Sequence, residues 1–233
     1  MLQPENDSWA VVVYDSASQT ADRLGTAVVI DSSRLLTCLH VIADDPTRQR
    51  VWVAFPKAMG YVYRGRRPAA VSKADPDLDV AVLQLSEGLP PGVAAPPLRC
   101  PAPYALLDKR WWAFGFAGSR RGNSAYGSVR ESLGDGYVRI DADPAATYRL
   151  RAGFSGGGVW SPEFGAVVGV VVTADEYGNG EAVTLHQIDL CFPEEKFGEL
   201  ARWTASEAGE TALASWGWTL GRDPEGVRHW RPK

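Results

Sequence analysis

Short runs of apolar, β-prone residues recur along the chain, separated by glycine, proline and aspartate at turn positions. Runs of this length with this punctuation are typical of the strands of a β-barrel or a β-sandwich. The pattern therefore predicts an all-β fold. The runs of the first half cover residues 9–14, 25–31, 35–39, 51–55, 69–73 and 79–85. Those of the second half cover residues 110–116, 124–131, 136–140, 159–160, 166–172 and 182–188.

A proline-rich stretch divides the two sets of strands. It extends from Pro90 to Pro103, and its prolines cannot donate to the ladder of a central strand. We interpret this stretch as a linker between two structural units. It predicts a first unit over residues 1–98, a second over residues 99–192 and a C-terminal segment over residues 193–233.

The C-terminal segment differs in character from the two units. Pro193 is followed by two glutamates, which suits the entry of a helix that we predict over residues 193–203. The tail beyond it contains Trp216, Trp218 and Trp230, whose large apolar surfaces are costly to leave in water. We predict an ordered aromatic contact in this tail, either as a brace on the second unit or as a connector into further domains.

The composition is that of a soluble globular protein, with 45% hydrophobic and 22% charged residues among 233. A net charge of −4 without a basic patch argues against nucleic acid as a partner, and no apolar run approaches the roughly 18–20 residues of a membrane span. The three cysteines, Cys38, Cys100 and Cys191, are odd in number, and the polar N-terminus lacks signal-peptide character. Both features favour a reducing, cytoplasmic location. No cluster has the spacing of a zinc site or a phosphate loop, so we expect neither a metal nor a cofactor.

The most informative segment is a serine within a glycine run, Gly153-Phe154-Ser155-Gly156-Gly157. Such a run lets the backbone turn sharply and brings N–H groups near one hydroxyl, as in an acyl-transfer site built around a nucleophilic serine. His40 ends an apolar run and is the candidate base. An acid, Asp77 or Asp79, precedes a later strand and is the candidate partner of that base.

The candidate residues lie in motifs that occur in the order His, Asp, Ser. In this order and at this spacing the motifs are similar to those of chymotrypsin/trypsin-fold serine peptidases, of the bacterial cytoplasmic type, over about residues 9–192. The similar segments are Gly25-Thr26-Ala27, Leu36-Thr37-Cys38-Leu39-His40, Asp79-Val80-Ala81-Val82-Leu83, Gly153-Phe154-Ser155-Gly156-Gly157 and the later strand Gly169-Val170-Val171.

The resemblance implies two six-stranded antiparallel β-barrels, a C-terminal helix and cleavage of protein or peptide substrates through an acyl-enzyme. His40 would be the general base, Asp79 would orient it, and Ser155 would be the nucleophile. The family motif selects Asp79 rather than Asp77, because its acid runs directly into the strand. The backbone N–H groups of Gly153 and Ser155 would form the oxyanion hole.

The chain departs from secreted relatives at several positions. Phe154 replaces the aspartate that pairs with a new N-terminus after zymogen cleavage, so we expect that activation route to be absent. Val41 stands where those relatives often carry a disulfide-bonded cysteine. By analogy, Arg149 would form the base of the specificity pocket and Glu181 would lie on the opposing wall. A buried cation would favour an acidic substrate side chain, whereas an Arg149 that faces solvent would not.

Two other functions remain open from the sequence. One is a catalytically silent, trypsin-like protein-binding module, against which the complete triad argues. The other is an esterase of the α/β-hydrolase type, whose G-x-S-x-G motif residues 153–157 also match, although its acid and histidine would follow the serine. Related cytoplasmic peptidase domains are often coupled to sensing modules. We therefore expect a regulated protease of a bacterial signalling or defence system, with an ATPase or repeat domain or protein as its partner.

Overall fold

The computed structural model of the protein describes residues 3–42, 48–58, 65–117 and 122–201, and the backbone of two further strands at 218–222 and 228–232. Strands β1–β12 form two closed antiparallel barrels of six strands each. The predicted all-β fold with two six-stranded barrels is therefore confirmed. Within the described ranges, no helix combines the length and apolar character needed to cross a membrane.

The two barrels use successive halves of the chain. The first consists of β1 (Ala10–Tyr14), β2 (Arg23–Val29), β3 (Arg34–Cys38), β4 (Arg50–Ala54), β5 (Arg67–Asp75) and β6 (Val80–Leu85). The second consists of β7 (Arg110–Gly115), β8 (Asn123–Gly134), β9 (Tyr137–Ala142), β10 (Gly158–Ser161), β11 (Ala166–Ala174) and β12 (Gly180–Thr184). A 3₁₀ helix, Pro103–Leu106, ends the proline-rich linker.

Both barrels have the same strand order. The first runs β1-β2-β3-β6-β5-β4 and closes where β1 pairs with β4, and the second runs β7-β8-β9-β12-β11-β10 and closes where β7 pairs with β10. The buried side chains of both barrels are mostly valine, leucine and alanine. This composition suits the pleated inner surface of a small barrel.

A row of aromatic side chains joins the two barrels. Trp9, just before β1, meets Trp112 of β7 edge to face, with ring centroids 6.0 Å apart and an interplanar angle of 83°. Phe114 and Phe116 continue the row along the same strand and its end. Edge-to-face pairs of this kind add to the area that the rings bury. The barrels therefore share one apolar core at their junction, and the loops beside that junction hold the candidate site.

The last predicted strand is only partly correct. The run 182–188 was predicted as a strand, but β12 ends at Thr184 and helix α1 (Leu185–Cys191) begins there. The side chain of Thr184 accepts a hydrogen bond from the backbone N–H of Gln187, which is the arrangement of a helix N-cap. Thr184 is also the last residue of β12 that pairs with β11. The cap therefore converts an apolar run from strand to helix.

The helix predicted over residues 193–203 is interrupted. Pro193–Glu195 form a 3₁₀ turn, Lys196 adopts a left-handed conformation with φ of 55°, and residues 197–201 are helical. Residues 202–203 lie outside the described part of the chain. The left-handed residue turns the chain so that Phe197 becomes fully buried. Continuous helix would not have delivered that side chain to the same position.

The segment that follows α1 returns to the first barrel. Arg34 of β3 forms ion pairs with Asp31 at 2.6 Å and with Glu195 at 2.5 Å, and Lys73 of β5 pairs with Glu194 at 2.7 Å. Burial alone would raise the pKa of Asp31, but hydrogen bonds from the backbone N–H groups of Ser33 and Arg34 and from the Arg34 guanidinium hold it below its usual range. The segment 193–201 is therefore a brace that ties the chain after helix α1 to the first barrel.

Replacing Phe197 with alanine tests this brace. We expect Phe197→Ala to lower the free energy of unfolding by about 3–5 kcal/mol, because the ring is fully buried and its removal leaves a cavity. Leu190→Ala is the control, since that side chain on α1 is 62% exposed and its loss should change stability by less than about 0.5 kcal/mol. Chemical denaturation measures both. A loss below about 1 kcal/mol for Phe197→Ala would contradict the brace.

The Trp-rich tail contains a hairpin that the sequence analysis did not predict. Strands β13 (Trp218–Arg222) and β14 (Arg228–Pro232) pair antiparallel, with Leu220 opposite Trp230. The aromatic contact predicted for this tail concerns side chains outside the described residues, so it stays a prediction.

Candidate active site

Strand pairing in the first barrel brings His40 to Asp79. β3 pairs with β6 so that Cys38 lies opposite Val80, and the candidate base and acid stand just beyond this pair. The backbone N–H of His40 donates to Asp79 Oδ1 at 2.8 Å, and His40 Nδ1 lies 2.5 Å from Asp79 Oδ2. Both carboxylate oxygens of Asp79 are therefore used to hold one histidine through its backbone N–H and its Nδ1.

The backbone at Asp79 is adapted to this contact. Asp79 has φ of 51°, a left-handed conformation that aspartate and asparagine tolerate better than most residues. The preceding turn is held by Asp75, whose Oδ1 accepts from the backbone N–H groups of Asp77 and Leu78, each at 2.9 Å. Asp77 is exposed and Asp79 is half-buried. Of the two candidate acids, the structure places Asp79 against the histidine.

The glycines around Ser155 allow the loop to pack on the first barrel. A Cβ atom at Gly156, where φ is +81°, would lie 2.1 Å from the carbonyl oxygen of Thr26 and 2.3 Å from Thr37 Oγ1. Gly153 has φ of +99°, and a Cβ there would lie 2.8 Å from the Cα of Ala117. Side chains at these two positions are therefore excluded both by backbone conformation and by close approach.

Ser155 lies close to the histidine segment. An ideal Cβ on Gly25 would be 3.2 Å from the Ser155 carbonyl oxygen and 2.8 Å from Cγ2 of Val41, the neighbour of His40. The Ser155 hydroxyl donates to the carbonyl of Val172 at 3.1 Å. Val172 stands at an irregularity of β11, where the pairing with β12 skips one residue. This bulge turns its carbonyl toward the serine.

The loop leaves two backbone donors open beside the serine. Among the described residues, no acceptor receives a hydrogen bond from the N–H of Gly153 or of Ser155, whereas the N–H of Phe154 donates to Arg151 and that of Gly156 to Val171. Unpaired N–H groups that flank a nucleophile are the donors that an oxyanion requires. The pair predicted from the sequence is thus available for that role.

Phe154 is a core residue. Its side chain is 0% exposed and packs on Gly115 of β7, where a Cβ would come within 2.6 Å of the phenyl ring. A carboxylate in this apolar position would be desolvated, so the site is built for a ring rather than for the ion pair of a zymogen-activated relative. The expected absence of that activation route stays a prediction.

Cys38 lies next to His40 and Asp79 but does not fit a nucleophile or a metal ligand. Its Sγ, a nitrogen of His40 and an oxygen of Asp79 lie within 4.8 Å of one another, and they form a possible ligand set within the described part of the chain. The thiol donates to the Val171 carbonyl at 3.1 Å, and burial together with the charge of Asp79 raises the pKa of Cys38 far above its ordinary value. A thiol held protonated is a poor ligand and a poor nucleophile.

The two predicted specificity residues lie apart from the buried interior. Arg149 is exposed, and its Nη1 donates to the carbonyl of Tyr177 at 3.0 Å. The buried side chain at this point is Leu150, which is 2% exposed. Glu181 is half-buried on β12 and lies opposite Thr173 of β11. Arg149 is therefore not a buried cation, and the part of either residue in substrate selection stays a prediction.

Three residues near the site were missed by the sequence analysis. Val172 receives the serine hydroxyl, and the side chain of Thr26 reaches the serine loop. Tyr137 of β9 lies near Asp79: burial and then the charge of Asp79 raise the pKa of Tyr137 to about 12, so its hydroxyl stays neutral at physiological pH. Only Thr26 lies in a recognised motif, Gly25-Thr26-Ala27, but a sequence does not show where its hydroxyl points.

Comparisons with known proteins agree with this fold. A serine endoprotease from Yersinia pestis has a similar structure, with 21% sequence identity and a TM-score of 0.60 over 84% of this chain and 64% of that one. The Rv3671c protease in its inactive form is 23% identical, with a TM-score of 0.58 over 81% of this chain and 89% of that one. No curated protein sequence matches the chain.

The model of the trypsin-like peptidase domain matches residues 25–170, which is more than half of the chain. The chain therefore belongs to the family of trypsin-like peptidase domains and has the fold of a serine endopeptidase.

Proposed function

We propose that the protein is a serine endopeptidase that cleaves peptide bonds through an acyl-enzyme, with His40, Asp79 and Ser155 as its triad. The observation that carries the proposal is the double contact between His40 and Asp79, at 2.8 and 2.5 Å, in a protein of this family. The N–H groups of Gly153 and Ser155, for which the described part of the chain offers no acceptor, support it further. They provide the transition-state stabilisation that a bare triad lacks.

The proposed reaction has two halves. Ser155 Oγ forms a bond to the scissile carbonyl carbon while His40 Nε2 takes the hydroxyl proton, and the carbonyl electron pair moves to an oxygen that faces the N–H groups of Gly153 and Ser155. The C–N bond then breaks, and His40 returns the proton to the leaving amine. Water repeats the steps on the acyl-enzyme and releases an acid. Asp79 fixes the tautomer and stabilises the charged imidazole throughout.

An extended peptide is the substrate that the surroundings of Ser155 fit. Beyond Val171, β11 still pairs with β12 on one side, but no described strand pairs with its other side. Thr173 and Ala174 in this part of β11 are exposed. A free strand edge beside a nucleophile can bind a peptide main chain by hydrogen bonds and hold its scissile bond in place. Sequence selection then depends on the side chains around this edge.

Covalent labelling tests the proposed function most directly. The wild-type protein should react with a fluorophosphonate probe at one serine, and Ser155→Ala should remove the label. Ser132→Ala is a matched control, since Ser132 is exposed on β8 away from the triad. A folded wild-type protein that takes no label and cleaves no peptide would instead favour a silent binding module.

The pH dependence should follow His40. A general base must be neutral, so kcat/KM should fall on the acid side with a single ionisation between about pH 5 and 8. Unfolding should not cause this fall. The pKa of Asp31 is lowered in the folded protein, so the stability that Asp31 contributes is fully present above the ordinary carboxyl pKa and is lost only as the pH falls below it. Activity assays at each pH, with circular dichroism of the same samples, distinguish the ionisation of His40 from unfolding. A rate that rises toward acid pH would point to a carboxylate mechanism.

Arg149 should affect specificity only weakly. If a substrate acid meets this exposed guanidinium, the pair is worth at most about 1 kcal/mol, or about five-fold in kcat/KM. We expect peptides with Glu before the scissile bond to be cut up to about five-fold better than those with Gln, and Arg149→Ala to remove the difference. A preference of about 100-fold, or one that survives Arg149→Ala, would contradict this role for Arg149.

The cellular part of the proposal is a regulated cytoplasmic module of a bacterial signalling or defence system, with an ATPase or repeat module as partner. Three free cysteines, Cys38, Cys100 and Cys191, are consistent with a reducing compartment. The Trp-rich tail is the proposed contact with the partner. Turnover should change when residues 209–233 are deleted, and equal turnover of the shortened and full chains would contradict this regulation.

A further inference from the structure

Thr26 makes three hydrogen bonds around the serine loop. Its backbone N–H donates to the Ser155 carbonyl at 3.0 Å, and its Oγ1 donates to the Gly153 carbonyl at 2.7 Å. Its own carbonyl accepts from Thr37 Oγ1 at 2.7 Å. Thr26 is fully buried in β2 of the first barrel, so all three bonds are shielded from water. The backbone N–H and the hydroxyl of Thr26 therefore bind the carbonyls of Ser155 and Gly153, the two residues whose own N–H groups have no acceptor among the described residues.

These bonds determine which way the loop peptides face. The Gly153 carbonyl accepts from the Thr26 hydroxyl and from the N–H of Phe116 at 3.2 Å, which fixes the peptide between Gly153 and Phe154. The N–H of Gly153 belongs to the preceding peptide, and it has no acceptor among the described residues. Glycine at φ of +99° has no side chain to resist a peptide flip. The restraint must therefore come from outside the loop: the N–H of Phe116 supplies part of it, and the Thr26 hydroxyl supplies the shorter bond from the other barrel.

We propose that Thr26 is a positioning residue that holds the serine loop with the N–H groups of Gly153 and Ser155 directed at the developing oxyanion. The inference rests on the proposed peptidase function and adds a residue to its machinery. Without the hydroxyl, the Gly153 carbonyl is held by the N–H of Phe116 alone, so the backbone at Gly153 can rotate more easily and the two donors lose their common orientation. Such a loss affects the transition state more than the bound substrate.

The central experiment compares three variants. Thr26→Val keeps the shape but removes the hydroxyl, Thr26→Ser keeps the hydroxyl, and Thr37→Val removes the neighbouring buried hydroxyl, which donates to the Thr26 carbonyl rather than to the loop. We expect Thr26→Val to lower kcat about 10- to 100-fold, less than deletion of an oxyanion donor, with KM within about three-fold. Thr26→Ser and Thr37→Val should stay within about three-fold of wild type.

A second measurement isolates the oxyanion. A peptide aldehyde forms a hemiacetal whose oxygen occupies the oxyanion position, whereas the matching peptide amide does not. Thr26→Val should weaken the aldehyde by the same factor as kcat and leave the amide unchanged. A structural role would move both ligands together. The inference would be overturned if Thr37→Val lost as much affinity for the aldehyde as Thr26→Val, or if the aldehyde affinity of Thr26→Val were unaltered.

Hydrogen exchange decides the inference without activity. The N–H of Phe154 donates to Arg151 of the loop and that of Gly156 donates to Val171 of β11. The exchange of both should accelerate at least about ten-fold in Thr26→Val but not in Thr37→Val. If the wild type takes no fluorophosphonate label, the proposed function fails while this exchange result still stands. If the wild type is active and exchange in Thr26→Val is unchanged, the positioning role is wrong and the function is unaffected.

Discussion

Ser155→Ala should lower kcat by about 10⁴- to 10⁶-fold, and His40→Ala should do the same. The reason is that neither residue acts alone: the hydroxyl needs a base to take its proton, and the base has no other group to activate. The double variant should be little slower than either single variant, because each change already disables the unit. Steady-state hydrolysis of a fluorogenic peptide measures all three.

The controls for this experiment come from the same protein. His186→Ala changes a histidine that lies on α1, and Ser132→Ala changes an exposed serine of β8. Both should retain activity within about two-fold. Ser155→Ala should have a stability close to that of the wild type, because the substitution removes only the one side-chain hydrogen bond to the carbonyl of Val172. Full activity in Ser155→Ala would reject the assigned nucleophile.

The strand pattern predicted most of the fold, and the order of the motifs pointed to His40 and Asp79, which the structure places in contact. The pairing of β3 with β6 brings two distant motifs together. Because Cys38 lies opposite Val80, His40 and Asp79 come into contact just beyond the ends of the two strands. The acid could be chosen between Asp77 and Asp79 only through the resemblance. In the structure the choice follows from a left-handed backbone at Asp79, a property that no periodicity reports.

Other features depend on contacts between distant parts of the chain. The run 185–188 is apolar enough for a strand, and only the end of the ladder at Thr184 and its cap make it helical. The shared strand order of the two barrels has no counterpart in a repeated sequence. The glycine run was interpreted as a sharp turn, but Gly156 is also required because the loop packs on the backbone of Thr26.

Asp79→Asn should lower kcat by about 10⁴-fold while leaving the fold intact. Asp79 Oδ1 accepts the backbone N–H of His40 at 2.8 Å, so an asparagine would keep its carbonyl oxygen there and place its NH₂ group toward His40 Nδ1. That NH₂ group donates, which makes Nδ1 the acceptor and puts the imidazole proton on Nε2. A protonated Nε2 cannot take the proton of Ser155.

Asp77→Asn is the matched control, because it removes the same charge two residues away at an exposed position. It should change kcat by less than about two-fold. Asparagine tolerates the left-handed backbone at position 79, so the melting temperature of Asp79→Asn should stay close to that of the wild type and separate chemistry from folding. If Asp79→Asn kept more than about a tenth of the activity, or if Asp77→Asn lost as much, the carboxylate would not be setting the tautomer of His40.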